Sequence, residues 1–301
     1  MALLLKNDEF LLQLERPGER YTASRFDWNG LVSSVRFRDI ELLGQEKPRF
    51  QRNPARFGRG LHNEFGIKKV VGYHDCHPGE WFPKIGTGWL KKDEEPYFFY
   101  TDYKLDPLSF DDSTDGQDAV IFSCTSGERN GYAYHYTKRI ALAPGGFTIT
   151  YTLKNSGSKR IETDEYVHNF LSLGGKRVAP GYTLEFPWNV ENVILVEQVD
   201  PDKILKLSGT TVSFTGRARN QFYLGGLTGG KTSVDGVAAK WRLENSGIFI
   251  EESGNFTPDA VHLWGWKHVI SPEVFFAFSL DPGKSVSWER AYSAGYVSPS
   301  V

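Results

Sequence analysis

The sequence predicts an all-β protein with few or no helices, folded as one large antiparallel β-sandwich. Aromatic side chains, which are enriched in strands, make up 14% of the 301 residues. Apolar and polar residues alternate with a period of two along much of the chain, and no segment has the periodicity of a three-turn helix. A β-sandwich of this length commonly forms one unit, so we predict a single domain over residues 1–301.

A hairpin near the middle of the chain has the clearest alternation. In residues 132–139, Tyr132, Tyr134 and Tyr136 share one face, and residues 147–153 alternate apolar residues with threonines. A Pro-Gly-Gly turn at 144–146 joins the two runs.

Residues 8–15 fit either a strand or a short helix. Further strands are predicted at residues 31–37, 119–124, 182–186, 211–214, 238–243, 248–252 and 274–280, separated by turns such as Gly225-Gly226 and Gly229-Gly230.

The composition excludes several classes of protein. With 40% hydrophobic residues and 35 basic against 37 acidic side chains, the chain is not intrinsically disordered. A net charge of −2 gives no electrostatic footprint for nucleic acid or for a membrane surface. The apolar run at residues 2–5 is too short for a signal peptide, and no stretch is long enough to span a membrane. We therefore expect a cytoplasmic protein with free thiols at Cys76 and Cys124.

Two polar segments superficially resemble ligand sites. His74-Asp75-Cys76-His77 contains metal-ligating residue types, but zinc needs three or four ligands in a defined geometry, and no second pair accompanies this one. The glycine-rich segment 58–66 lacks the spacing and the strand–helix context of a phosphate-binding loop. We interpret the first segment as a polar loop, reject phosphate binding for the second, and expect no metal or other cofactor.

Residues 163–170 are unusual for a strand because polar residues occupy both faces. Alternation places Asp164, Tyr166 and His168 on one face and Glu165 and Asn169 on the other. Such groups are costly on an interior strand unless they are paired or functional. The segment is therefore either an edge strand with a hydrogen-bonded histidine or an interior strand that carries a site.

A second candidate site lies in residues 269–278, where Val-Ile-Ser-Pro-Glu is followed by aromatic and aliphatic residues. Glu273 follows Pro272, a residue type that marks a strand start or an edge. A carboxylate at the head of an aromatic strand can acquire a raised pKa through desolvation, which suits a general base near neutral pH. The alternative is an exposed glutamate at a strand end.

Four segments, in order along the chain, resemble the aldose 1-epimerase (galactose mutarotase) superfamily. The segment His-Asn-Phe-Leu-Ser-Leu at 168–173 resembles the family's N-H-x-Y-F-N-L segment. Residues 24–35 resemble its early strand, residues 58–64 its G-R-x-x-N-R segment, and residues 280–292 its closing strand, which begins L-x-P-G. Together these segments extend over nearly the whole chain.

The resemblance implies a β-supersandwich with a carbohydrate site on one sheet face. Exchange of sugar anomers needs a base for the proton of the C1 hydroxyl and an acid for the ring oxygen, so that the ring opens and closes again. By resemblance, His168 is the acid and Glu273 is the base. Glu251 and Glu252 are alternatives for the base, because the family places a proline after the glutamate, whereas Pro272 precedes Glu273.

The resemblance also indicates sugar-binding residues. Arg59 matches the first arginine of the G-R-x-x-N-R segment, but Glu64 replaces the second. A carboxylate there would repel a phosphorylated sugar and prefer hydroxyl donors. Lys84 occupies roughly the stretch of the family's sugar-binding histidine, and Trp264 is one of the tryptophans that could stack on a pyranose ring.

We therefore predict a carbohydrate-active protein, an aldose 1-epimerase-like isomerase that interconverts the anomers of an unphosphorylated sugar. The alternative is a carbohydrate-binding or sensing protein without catalysis on the same fold, because a fold does not settle function. The expected partner is a small sugar. Nucleic acid and membranes are not expected as partners, and we expect a monomer or a homodimer.

Overall fold

Antiparallel strands make up nearly all of the regular structure of this protein. The computed structural model describes residues 3–51, 53–228 and 239–297. These ranges contain 23 strands, no α-helix, and two 3₁₀ helices at Arg49–Gln51 and Leu173–Gly175. Neither helix has the length and apolarity needed to cross a membrane. The strands, in chain order, are β1 (Leu3–Lys6), β2 (Phe10–Glu15), β3 (Leu31–Phe37), β4 (Ile40–Glu41), β5 (Leu61–Phe65), β6 (Trp81–Lys84), β7 (Gly88–Lys91), β8 (Leu105–Pro107), β9 (Phe110–Thr114), β10 (Ala119–Thr125), β11 (Tyr134–Ala143), β12 (Gly146–Asn155), β13 (Ile161–Asn169), β14 (Thr183–Glu185), β15 (Glu197–Val199), β16 (Leu205–Ser208), β17 (Thr211–Phe214), β18 (Phe222–Gly225), β19 (Ala239–Asn245), β20 (Ile248–Gly254), β21 (Ala260–Trp266), β22 (Val269–Leu280) and β23 (Ser285–Tyr296).

Two ten-stranded sheets form the two layers of the protein. Sheet I has the strand order β1-β2-β3-β5-β13-β22-β21-β18-β15, with β4 paired to β3. Sheet II has the order β16-β17-β14-β19-β20-β23-β12-β11-β10-β9, and a small third sheet has the order β6-β7-β8. The predicted all-β sandwich is confirmed, whereas the single domain over residues 1–301 stays a prediction.

The main apolar core lies between sheet I and sheet II. One cluster of buried side chains takes Val167 and Leu263 from sheet I and Ile149 and Trp241 from sheet II. Alternate residues of a strand point to the same side, so the period-two pattern of the sequence gives each sheet an apolar face toward the other.

Most of the predicted strands lie within observed ones. The predicted hairpin is β11 and β12, and residues 8–15 contain a strand, β2, and no helix. Strand β22 begins at Val269, earlier than predicted, so Glu273 lies inside a strand and is not an exposed residue at its end. Cys76 and Cys124 are buried free thiols. The predicted turn at Gly229-Gly230 and the first residue of the strand predicted at 238–243 lie outside the described residues.

Strand β13 lies inside sheet I, between β5 and β22, so the interpretation of residues 163–170 as an edge strand is wrong. On its face toward sheet II, the Glu165 carboxylate accepts from Arg290 Nη2 at 2.7 Å, and Arg290 Nη1 donates to Glu252 at 2.6 Å. Glu252 also accepts from Asn169 Nδ2 at 3.0 Å. All four side chains are buried. We call them the inter-sheet cluster; their pairing satisfies the polar residues on the inner face of β13.

The ladder between β13 and β22 is interrupted around His168. It extends as far as Glu165, and an isolated bridge at Leu171 resumes the pairing. Pro272 lies opposite this gap, where its missing N–H breaks no ladder bond. Its carbonyl accepts from Asn169 Nδ2 at 2.8 Å, so a side chain replaces the backbone partner. The gap explains how a proline is accommodated in an interior strand.

Replacement of Arg290 by leucine tests the inter-sheet cluster. Arg290→Leu leaves Glu165 and Glu252 buried without their cation, and breaking a buried ion pair in this way costs about 3–5 kcal/mol. We expect the free energy of unfolding, measured in urea, to fall by this amount. Arg160→Leu is the control, because Arg160 pairs with Asp281 at an exposed position, where the loss is at most about 1 kcal/mol. Equal losses in the two variants would show that the cluster is not a stabilising element.

Candidate active site

His168 and Glu273 lie side by side on the outer face of sheet I, the face turned away from sheet II. His168 Nε2 is 3.4 Å from Glu273 Oε1, and we call these two residues the His–Glu pair. Ser271 contacts both: its Oγ is 2.8 Å from His168 Nδ1 and 3.3 Å from Glu273 Oε1. Alternation along β22 puts Ser271 and Glu273 on the same face. The structure therefore brings together the two residues predicted to be catalytic.

Aromatic rings enclose the imidazole of His168. Phe170 stacks on it with ring centroids 4.1 Å apart, and Trp264 of β21 and Phe26 meet it edge-on at 5.0 and 6.0 Å. His168 is 3% exposed and Glu273 is 6% exposed. Trp264 is half-buried beside them. The His–Glu pair therefore lies in an environment of low dielectric constant, where protonation states respond strongly to burial.

Burial shifts the pKa of each member of the pair toward its neutral form. Desolvation lowers the pKa of His168 well below its usual 6.5, and the charges of Arg25 and His62 act in the same direction. Desolvation raises the pKa of Glu273 to about 8, against an opposing contribution from Arg25. Near neutral pH the pair therefore holds one proton, on Glu273. Because the two groups are in contact they titrate as a unit, and the proton can move between them directly or through Ser271.

Glu64, on β5, lies at the centre of a buried polar network beside the His–Glu pair. Its Oε2 accepts from Arg25 Nε at 2.9 Å and from Tyr166 OH at 2.6 Å. Lys84 Nζ is 3.7 Å from Glu64 Oε1 and donates to Tyr97 OH at 3.0 Å. Two of the predicted binding residues, Glu64 and Lys84, thus belong to one network.

Arg25 is a residue of this network that the sequence did not single out. Its guanidinium stacks on the rings of Phe26, Phe99 and Tyr100 at 4.4, 4.6 and 4.7 Å. Its Nη1 is buried without a hydrogen-bond partner among the described residues. A guanidinium held by Glu64 and with one unpaired donor can bind an oxygen of a ligand. The only sequence signal was its place in the segment 24–35, which gives no link to Glu64.

Arg59, Glu251 and Glu252 are engaged elsewhere. Arg59 forms a buried two-point ion pair with Glu15 of β2. Glu252 belongs to the inter-sheet cluster, and Glu251 pairs with Lys240 at 3.0 Å on the other side of sheet II. The structure brings none of the three to the His–Glu pair, which favours Glu273 over Glu251 and Glu252 as the base. A sugar-binding role for Arg59 stays a prediction.

The segment His74-Asp75-Cys76-His77 forms turns between β5 and β6. The Asp75 carboxylate accepts from Lys159 Nζ at 2.9 Å and from Tyr132 OH at 2.8 Å. In the part of the chain that the structure describes, no group of three His, Cys, Asp or Glu side chains is placed to hold a metal ion.

Solved structures of other proteins share this fold over nearly the whole chain. A putative aldose 1-epimerase from Escherichia coli K12 is 13% identical, with 99% of each chain covered and a TM-score of 0.58. A galactose mutarotase-like protein from Lactobacillus casei ATCC 334 is 15% identical, with 98% of this chain and 100% of that chain covered and a TM-score of 0.59. A GalM/aldose epimerase homologue from C. elegans is 13% identical, with 99% of each chain covered and a TM-score of 0.55.

These similarities define the fold of the chain. No protein-family model and no curated protein sequence matches it. At identities this low, likeness to solved structures establishes the architecture and not the activity. The chain therefore has the galactose mutarotase-like β-sandwich fold, as the sequence predicts.

The raised pKa of Glu273 predicts a pH-dependent loss of stability. The unfolded chain ionises this carboxyl near its ordinary 4.5, whereas the folded protein keeps it protonated up to about pH 8. Its contribution to the free energy of unfolding is therefore complete below pH 4.5 and is lost as the pH rises from 4.5 through 8, by up to about 5 kcal/mol.

Glu273→Gln tests this linkage, because glutamine resembles the protonated carboxyl and cannot ionise. In urea unfolding, the variant should gain stability relative to the parent between about pH 5 and about pH 8.5. If the free energies of unfolding of parent and variant differ by the same amount at every pH, the pKa of Glu273 is not raised.

Proposed function

We propose that this protein exchanges the anomers of an unphosphorylated sugar by acid–base catalysis, with His168 as the acid and Glu273 as the base. The observation that carries the proposal is the buried contact between these two groups, 3.4 Å apart. The C1 hydroxyl and the ring oxygen of a cyclic sugar are bonded to the same carbon, so two groups in contact can reach both oxygens. The fold supports the proposal, because proteins described as aldose 1-epimerase homologues share it.

The His–Glu pair holds the number of protons that anomer exchange requires. The reaction takes one proton from the C1 hydroxyl and gives one to the ring oxygen, with no net change. In the free protein the proton is on Glu273, so it must pass to His168 before Glu273 can act as the base. The direct contact and the Ser271 hydroxyl are the two routes. The ring then opens to the aldehyde, C1 rotates, and the reverse transfers close the ring on the other face.

The groups around the pair favour a sugar without a phosphate. Arg25 is already neutralised by Glu64, so a phosphate placed there would meet the carboxylate at close range. Hydroxyl groups can both donate and accept, and they suit Arg25 Nη1 and Glu64 Oε1, which lack hydrogen-bond partners among the described residues. Trp264 offers an aromatic face beside His168 for the sugar ring.

Substitution of either member of the pair tests the proposed catalysis. His168→Ala and Glu273→Gln should each slow anomer exchange by about 10²–10⁴-fold, the usual contribution of a general acid or base. The exchange is followed by polarimetry or NMR over a panel of aldoses and corrected for the spontaneous reaction. Glu251→Gln is the matched control, because Glu251 pairs with Lys240 on sheet II and should not affect the rate.

Two results would exclude the proposal. Parental rates in both His168→Ala and Glu273→Gln would remove the pair from the mechanism. A parent protein that binds sugar but does not accelerate exchange would instead favour the alternative of a binding protein without catalysis.

A further inference from the structure

His262 lies on the opposite side of Glu273 from His168 and takes no part in the mechanism described above. It is on β21, directly opposite Glu273 in the ladder between β21 and β22. Directly opposed residues of an antiparallel pair have Cβ atoms about 5 Å apart on the same face. Glu273 is therefore flanked by an imidazole on each neighbouring strand.

A backbone donor fixes which nitrogen of His262 carries the proton. The N–H of Gly226 donates to Nδ1 at 2.9 Å, so Nδ1 is the acceptor and the ring proton is on Nε2. Gly226 has a φ of +80°, and a Cβ there would meet Val196 at 2.7 Å, so glycine is required where this N–H turns toward the ring. The orientation of the imidazole is thus set by the main chain.

The ring of His262 is neutral over the physiological pH range. Burial, followed by the charge of Lys68, lowers its pKa to about 4, against an opposing contribution from the Val261 carbonyl. A neutral imidazole with Nδ1 occupied can act only as a donor, through Nε2. It also does not compete with Glu273 for a proton.

Aromatic side chains border the His262 ring. Gly225, its neighbour in the ladder with β18, has no side chain, and the Tyr223 ring packs against it, 3.0 Å from the place a Cβ would take. Tyr223 lies beside the imidazole at a ring separation of 5.8 Å, and Phe275 lies edge-on at 4.8 Å. No hydrogen bond joins Nε2 to any of the residues that the structure describes.

We propose that His262 is a positioning residue of the sugar site, whose Nε2–H donates a hydrogen bond to the substrate oxygen next to the one that Glu273 contacts. The ligand group is a hydroxyl or ring oxygen, an uncharged acceptor that matches a neutral donor. The inference rests on the proposed function, because it assigns a residue to that same site. A fixed donor at this place orients the sugar for proton transfer to Glu273 without changing the proton count of the His–Glu pair.

Two substitutions separate this role from a purely structural one. His262→Asn keeps an acceptor near the Nδ1 position for Gly226 but removes the donor at Nε2. His262→Gln can place an amide N–H near the Nε2 position but removes the acceptor for Gly226. If the His262 ring only accepts the Gly226 N–H, His262→Asn should preserve function better than His262→Gln. If the ring also binds sugar through Nε2, His262→Gln should preserve function better.

We expect His262→Asn to raise KM for anomer exchange about tenfold, the usual effect of one lost hydrogen bond, at an unchanged melting temperature. His262→Gln should restore KM to near the parental value, even if its melting temperature falls. Parental KM in the asparagine variant overturns the inference, and so does a raised KM in the glutamine variant alone.

Calorimetric binding of D-glucose, D-galactose and D-xylose keeps this test separate from the proposed catalysis. If the parent exchanges anomers and His262→Asn binds and reacts like the parent, the inference fails and the proposed function stands. If the parent binds sugar without exchange, the proposed catalysis fails, while weaker binding by His262→Asn still supports the donor. A parent that neither binds nor converts any of the three sugars overturns both.

Discussion

The burial of polar side chains on both faces of β13 is the constraint on which the site depends. Toward sheet II, Glu165 and Asn169 are held by the inter-sheet cluster, in which Arg290 joins two carboxylates. A slip of β13 by one residue would turn these groups out of the sandwich and place His168 in the apolar core. Because the inner face is fixed by charge-assisted hydrogen bonds, the outer face presents His168 at a defined place.

The interruption beside β13 links the fold to the chemistry. Pro272 of β22 lies opposite the gap in the ladder between β13 and β22, and Asn169 Nδ2 donates to both the Pro272 carbonyl and Glu252. The gap occurs where His168 and Glu273 meet, away from bulk water. The same burial that raises the pKa of Glu273 also reduces stability as the pH rises from 4.5 to 8, a common trade between stability and function at active sites.

The sequence predicts the parts of this molecule that depend on local pattern. Period-two alternation locates the hairpin of β11 and β12, and the resemblance selects His168 and Glu273. Pro272 suggests a strand start or an edge, but it lies inside sheet I. The rule that prolines occur at strand starts and edges does not anticipate a gap in the ladder between two interior strands. The pairing of Arg25 with Glu64 joins segments that are distant in sequence, and no local spacing encodes such a contact. The proton position on His262 depends on the direction of one backbone N–H, and alternation carries no information about that direction.

The protonation state of Glu273 is the property on which the proposed catalysis depends most directly. With glutamate labelled at the carboxyl carbon, NMR spectra over a pH series follow each side chain, and the resonance missing from Glu273→Gln identifies Glu273. We expect this carboxyl to remain protonated near neutral pH and to titrate at about 8. Titration near the ordinary value of 4.5 would contradict the proposed catalysis, because the His–Glu pair would then hold no proton at the pH where it must act.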